Sequence, residues 1–102
     1  MKSIKLNHDG TTRRFAVNVT EYVNGGTAVE LLEADTGETY CTLSVWFPES
    51  PLLEPGWFFL KDWSENGGIT EQMKLVGLLV PVKGVPPVHS GFVTAYAYRL
   101  NL

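Results

Sequence analysis

Cysteine is nearly absent: Cys41 stands alone among 102 residues. One thiol excludes an internal disulfide and a cysteine-rich metal site. Its position in the apolar register of an expected strand reads as a small buried hydrophobe. Histidine is almost as scarce. His8 and His89 both fall in expected loops, with no spacing to Asp or Glu that matches a metal pattern. His89 beside Ser90 is no triad, because sequence neighbours rarely align a nucleophile with its base. Gly25-Gly26-Thr27 and Asn66-Gly67-Gly68 lack the Lys and the spacing of a phosphate-binding loop. No apolar run approaches the roughly 18 residues of a membrane span, and no N-terminal signal pattern is present. The expectation is a cytoplasmic non-enzyme without metal, cofactor or membrane contact.

Positive charge is also in short supply. The net charge is −3, which argues against direct nucleic-acid binding, since that needs a basic footprint. The charge is unevenly placed. Lys2, Lys5, Arg13 and Arg14 against Asp9 make the first fourteen residues +3. Between Ala28 and Gln72, nine carboxylates (Glu30, Glu33, Asp35, Glu38, Glu49, Glu54, Asp62, Glu65, Glu71) face Lys61 alone, a local −8. Folding can gather such a run into an acidic face. The alternative is a set of solvated turn and outward strand positions.

What is abundant is strand patterning. Tyr40 to Phe47 alternates over eight residues, with Cys41, Leu43, Val45 and Phe47 on one face and Tyr40, Thr42, Ser44 and Trp46 on the other. Bulky groups on both faces predict one central strand covered on both sides. Lys2 to Asn7 and Arg13 to Val19 form a first hairpin around His8-Asp9-Gly10. Asn24-Gly25-Gly26 is a second turn. Thr27 to Glu33 has features of helix and strand, and its shortness favours strand. Asp35 to Glu38 is a third turn, so the first half reads as an antiparallel meander. Pro48 to Gly56 holds three prolines and cannot be regular. Leu52 and Leu53 are expected to fold back over the core. Trp57 to Leu60 is a short strand. Ile69 to Val76 is a helix with Ile69, Met73 and Val76 on its stripe and Gly77 as its C-terminal cap. Leu78 to Val82 is edge strand or loop, residues 84–91 are a stiff loop, and Phe92 to Leu100 is one closing strand. The fold class expected for residues 1–102 is a single α+β domain: an antiparallel sheet of about five or six strands with one short helix packed on it.

The aromatic cluster Trp46, Trp57, Phe58, Phe59 and Trp63 has two readings. A small domain needs such groups for its core. Beside Pro/Gly loops and carboxylates they also suit a protein-binding surface, where Trp and Tyr anchor hot spots. On the second reading Trp46, Trp57 and Trp63 are partner-binding anchors, and Glu49, Glu54, Asp62 and Glu65 are steering charges.

Several features occur together in one order. They are Tyr22-x-Asn24-Gly25, the Asp-Thr-Gly-Glu turn at 35–38, TYCTLSVWF at 39–47, Phe-Leu-Lys-Asp at 59–62, an Asn-Gly turn before the helix, and Ser90-Gly91-Phe92-Val93 followed by Tyr96, Tyr98 and Arg99. From about Thr11 to Asn101 the chain resembles the small bacterial family catalogued as domain of unknown function 4313. It departs from that pattern near Trp46, where the family carries Asn, and near Ala97, where it carries Pro. The resemblance implies no catalytic motif. It implies a protein of phages, plasmids or conjugative elements, a setting in which small acidic proteins inhibit host defence complexes of the CRISPR or restriction type. The expected partner is then a host protein or nucleoprotein complex, with a homodimer also open. The reading from another class is a small-ligand or nucleotide-binding sponge, using the N-terminal cations and the Asn66-Gly67-Gly68 amides.

Overall fold

Alternation in the first forty residues produces the meander that it predicts. In a computed structural model describing residues 2–8 and 10–102, β1 (Lys2–His8), β2 (Thr11–Glu21), β3 (Thr27–Glu33) and β4 (Thr39–Thr42) pair antiparallel in that order. Asp9 of the first expected turn lies outside the described residues. Ile4, Leu6, Phe15, Val17, Val29 and Leu31 share the inward face and are buried. Thr27 to Glu33 is a strand because its neighbours on both sides are strands, which satisfy its backbone polar groups directly.

The expected central strand is instead two strands in two sheets. β4 ends the first sheet, and β5 (Ser44–Val45) begins the second, so each is an edge strand of its own sheet. Leu43 lies at the crossing. Its N–H donates to Val29 O at 2.9 Å, while its carbonyl accepts the Lys61 N–H at 2.7 Å. A bulge precedes the crossing. Leu31 pairs with Cys41 but Leu32 pairs with Thr39, which leaves Tyr40 as the extra residue. Bulges bend and twist a strand. The bulge also takes Tyr40 out of the expected alternation: its ring packs on Phe15, 4.9 Å between centroids, against the same core as Cys41.

The strand buried on both faces is β6 (Trp57–Leu60). It lies inside the second sheet, between β5 and β10 (Ala97–Leu100), with β7 (Leu79–Pro81) on the far edge of β10. Phe58 and Leu60 face the core shared with the first sheet. Phe59 faces a second core with Phe47, Ala95 and Ala97. The loop 48–56 closes part of that second core with Leu52, whereas Leu53 is exposed, against expectation. The expected closing strand also divides. β9 (Val93–Ala95) pairs with β8 (Val88–Ser90), inside the stretch expected as loop, and β10 pairs with β6 and β7. The expected single sheet of five or six strands is therefore replaced, among the described residues, by sheets of four, four and two strands. The α+β class and the antiparallel pairing hold.

One α-helix, α1 (Gly67–Leu75), packs on the shared core through Ile69 and Met73. It starts two residues before Ile69, so Glu71 lies beyond its first turn. Val76 is exposed and not part of the buried stripe. The helix has already closed there: Gly77, at φ +78°, donates to Lys74 O at 3.1 Å, and Leu78 donates to Met73 O at 2.8 Å. Both bonds belong to the Schellman motif, whose left-handed residue favours glycine. The Gln72 amide engages the backbone of Asn7, accepting its N–H at 2.7 Å and donating to its carbonyl. A helix side chain thereby covers part of the open edge of β1, where unpaired strand groups invite association.

Asn66, at the start of α1, ties the helix to the sheet crossing. Its buried amide nitrogen donates to Thr42 O at 2.7 Å and Lys61 O at 3.0 Å. Asn66→Ala leaves both carbonyls without that donor, and the expected loss of unfolding free energy is about 1–3 kcal/mol. Asn66→Asp sets a carboxylate against two carbonyl oxygens and is expected to lose more. Urea titrations check this order, and three proteins of equal stability would contradict the clamp.

Candidate partner-binding surface

The seven residues selected from sequence fall at two ends of β6. Strands β5 and β6 run antiparallel, with Val45 opposite Phe59. Trp46, Glu49, Glu54 and Trp57 accordingly lie toward the start of β6. Asp62, Trp63 and Glu65 follow its end. Phe58, Phe59, Leu60 and Lys61 separate Trp57 from Asp62, roughly 13 Å of extended chain.

Each side chain has a different availability. Glu49 and Glu54 are exposed on the Pro-rich loop. Glu65 is exposed and lies 3.9 Å from Lys61, four residues earlier in the chain, a contact that solvent weakens. Asp62 is committed internally. It accepts from Lys74 at 3.1 Å, and that ammonium lies 5.3 Å from the centre of the Tyr98 ring. Burial opposes the charge on Lys74, but the Asp62 hydrogen bond and the Tyr98 contact outweigh it and raise its pKa. Trp63 packs against the second core. Trp57 is half-buried opposite Arg99.

Trp46 is pinned from beneath. Its ring lies over Gly26 and 5.8 Å from the Tyr22 ring. The Tyr22 hydroxyl meets Ser44 Oγ at 2.8 Å, and Ser44 Oγ accepts the Val29 N–H at 2.9 Å. The side chain of Trp46 is thus placed by the 22–26 turn and by β3, both distant in sequence.

Sequence reasoning missed a groove of about 390 Å³ beside this first group. Val19, Thr20, Glu21 and Thr27 form one wall, and Leu53, Pro55 and Gly56 form the other. The Gly56 N–H donates to Thr27 Oγ1 at 3.0 Å, joining the walls. Leu53 and Val23 are exposed. The sequence signal was Leu53 between prolines, where a loop without regular pairing cannot turn every apolar side chain inward.

The cationic N-terminal segment forms a larger groove of about 570 Å³, lined by Lys5, Thr11, Thr12, Arg13, Arg14, Glu33 and Asp35. It carries both signs: Arg13 lies 3.3 Å from Glu33 and Arg14 lies 3.6 Å from Asp35. The Asn66-Gly67-Gly68 backbone, whose amides the sponge reading uses, lies at the start of α1, and the Asn66 side chain is buried against the two carbonyls described above. Among the described residues no three His, Cys, Asp or Glu side chains gather as a metal site. His89 Nδ1 meets Thr94 Oγ1 at 2.9 Å across the β8–β9 hairpin. Among the described residues no helix is long and apolar enough to cross a membrane. No family model, curated protein or solved structure matches the chain.

Two measurements follow from this packing. A Cβ on Gly26 would stand 2.7 Å from Trp46 Cε3 and closer still to Cζ3. Gly26→Ala is expected to displace the ring, cost about 1–3 kcal/mol, and shift tryptophan emission to the red. Unchanged emission and stability would contradict the contact. Cys41 is the second. Burial pushes its thiol from 9.0 up to about 11, with Glu65 adding to the rise and Lys61 opposing it. The unfolded chain then releases this proton at lower pH than the native one, so stability falls as pH climbs from 9.0 toward 11. Native Cys41 at pH 8 is expected to react with a thiol reagent far more slowly than in denaturant; equal rates would contradict its burial.

Proposed function

We propose that this protein is a non-enzymatic product of a mobile element that binds and inhibits a host defence complex in the cytoplasm, of the kind blocked by anti-CRISPR or antirestriction proteins. The mobile-element setting is implied by the resemblance to the domain of unknown function 4313 family. The observation that carries the binding role is the 390 Å³ groove, where exposed Val19 and Leu53 share the lining with Glu21, and exposed Glu54 and half-buried Trp57 flank its loop wall in the chain. An apolar centre with a charged rim is the anatomy of a protein interface. Carboxylates there complement a basic surface, so the protein competes with nucleic acid for the partner's cationic groove. Glu49 and Glu54 steer the encounter from this end, with Glu65 contributing from the other.

The test compares the wild type with the triple variant Glu49→Lys, Glu54→Lys, Glu65→Lys. Asp62 is kept, because reversing it sets two cations together at Lys74. Tagged proteins are used to capture complexes from nuclease-treated host lysate, and the captured nuclease is then assayed. The wild type is expected to retain and inhibit one dominant complex. The triple variant is expected to associate about tenfold more slowly, with dissociation nearly unchanged. Equal association by both proteins would remove the acidic surface from the mechanism.

A further inference from the structure

Phe92 and Val23 are the most exposed large hydrophobic side chains among the described residues. Phe92 sits at the tip of the β8–β9 hairpin, where Ser90 pairs with Val93 and two residues make the turn. Its exposure of 110% means that nothing in the chain covers the ring. Gly91 has φ +60°, whereas Ser64 is the only non-glycine with positive φ among the described residues. Positive φ at the first central position alone defines a type II′ turn, which matches the twist of the flanking strands. The arm beneath the tip is anchored. Val88 and Ala95 pack in the second core, and His89 and Thr94 are hydrogen-bonded across the strands. A stiff arm presents Phe92 with little ordering cost on binding.

The charge of the chain changes sign along its length. From Gln72 to Leu102 it carries Lys74, Lys83 and Arg99 and no acidic side chain. Asp62 and Glu65, near the base of the arm, are matched by Lys74 and Lys61. Lys83, on the segment leading into β8, is exposed. The groove of about 390 Å³ is complementary: Val19, Leu53 and Pro55 give it an apolar part beside Thr20 and Thr27, and it carries Glu21, with exposed Glu54 between Leu53 and Pro55. That volume lies within the range of pockets that hold an aromatic group.

The two features stand at opposite ends of β6. Gly56 of the groove directly precedes Trp57, while the Tyr96 carbonyl at the root of the arm accepts the Leu60 N–H. A molecule cannot fill its own groove with its own arm. We propose that the Phe92 hairpin of one molecule seats in the Val19–Leu53–Pro55 groove of a second copy. This contact joins two unlike surfaces, so copies add head to tail, as a closed ring where the rotation closes and as an open chain where it does not. One hairpin tip buries less than the roughly 1,200 Å² of a standard interface, which places the contact among weak, transient ones. The inference does not rest on a host partner, which competes with the second copy for the same groove.

Sedimentation velocity across a wide concentration range tests it. The wild-type mass is expected to climb with concentration above that of one copy. Phe92→Ala removes the knob and Leu53→Arg blocks the groove, and each variant alone is expected to remain monomeric. Their mixture restores one intact knob and one intact groove, so it is expected to form a one-to-one dimer that grows no further. Far-UV circular dichroism confirms folding, and Pro55→Arg replaces Leu53→Arg where the latter unfolds. A wild type that stays monomeric to millimolar concentration overturns the proposal and leaves the knob for a pocket on another protein. Self-association that survives Phe92→Ala, or a mixture that stays monomeric, overturns it as well.

Discussion

Leu43 belongs to both halves of this molecule. Its N–H completes the first sheet at Val29, and its carbonyl receives Lys61 after β6. One residue thereby fixes where β3 stands relative to β6, and the shared core forms between them. Asn66 reinforces the junction by bonding the carbonyls of Thr42 and Lys61 from the start of α1. The helix is held at that point and closes the core with Ile69 and Met73. With the crossing set, β6 has sheet on one face and a second core on the other. A strand buried on both faces needs large apolar groups in consecutive positions, and Phe58, Phe59 and Leu60 supply them.

This arrangement decides which aromatics remain for outside contacts. Trp63 is taken by the second core and Trp46 by the 22–26 turn. The same holds for charges. Asp62 is held by Lys74 in a half-buried pair, whereas Glu49 and Glu54 stand in solvent on a loop that makes no ladder. Exposed apolar side chains line a groove at one end of β6, project as a ring beyond the other, and end the helix at Leu75 and Val76. Strand ends and hairpin tips are where backbone pairing stops, and side chains there have no neighbouring strand to cover them.

Much of the first sheet was legible because its signals are local. Alternation of period two, a Gly-bearing turn every ten residues or so, and the shortness of TAVELLE led to the meander without reference to any distant contact. The Pro-rich loop, the helix and its Gly77 cap were legible for the same reason. The failures share a cause too. Tyr40–Phe47 and Phe92–Leu100 each keep alternating through the point where their partner changes, so periodicity carries no mark of the break at Leu43 or at Tyr96. The bulge at Tyr40 shows only in the pairing of Leu31 and Leu32. Val76 has the spacing of a buried stripe, but the helix has closed before it. The site was partly legible. Composition picked out acidic and aromatic residues, but not that they separate into two groups. Phe92 was placed on a strand face, although Gly91 before it is a turn signal.

The amino-acid sequence by itself determined the α+β class, the antiparallel meander, the position of the helix and the uneven charge. Each depends on the steric preferences and solvation of residues within a few positions of one another, which act before the chain is compact. Tertiary structure alone decided the division into three sheets, the two cores on either side of β6, the internal use of Trp46 and Asp62, and the exposure of Phe92. Those outcomes depend on which backbone groups and side chains meet beyond their immediate neighbours in the chain, as Asp62 and Lys74 do. Pairing and burial of that kind are properties of the assembled core, in which one strand's choice of partner settles the surroundings of all the others.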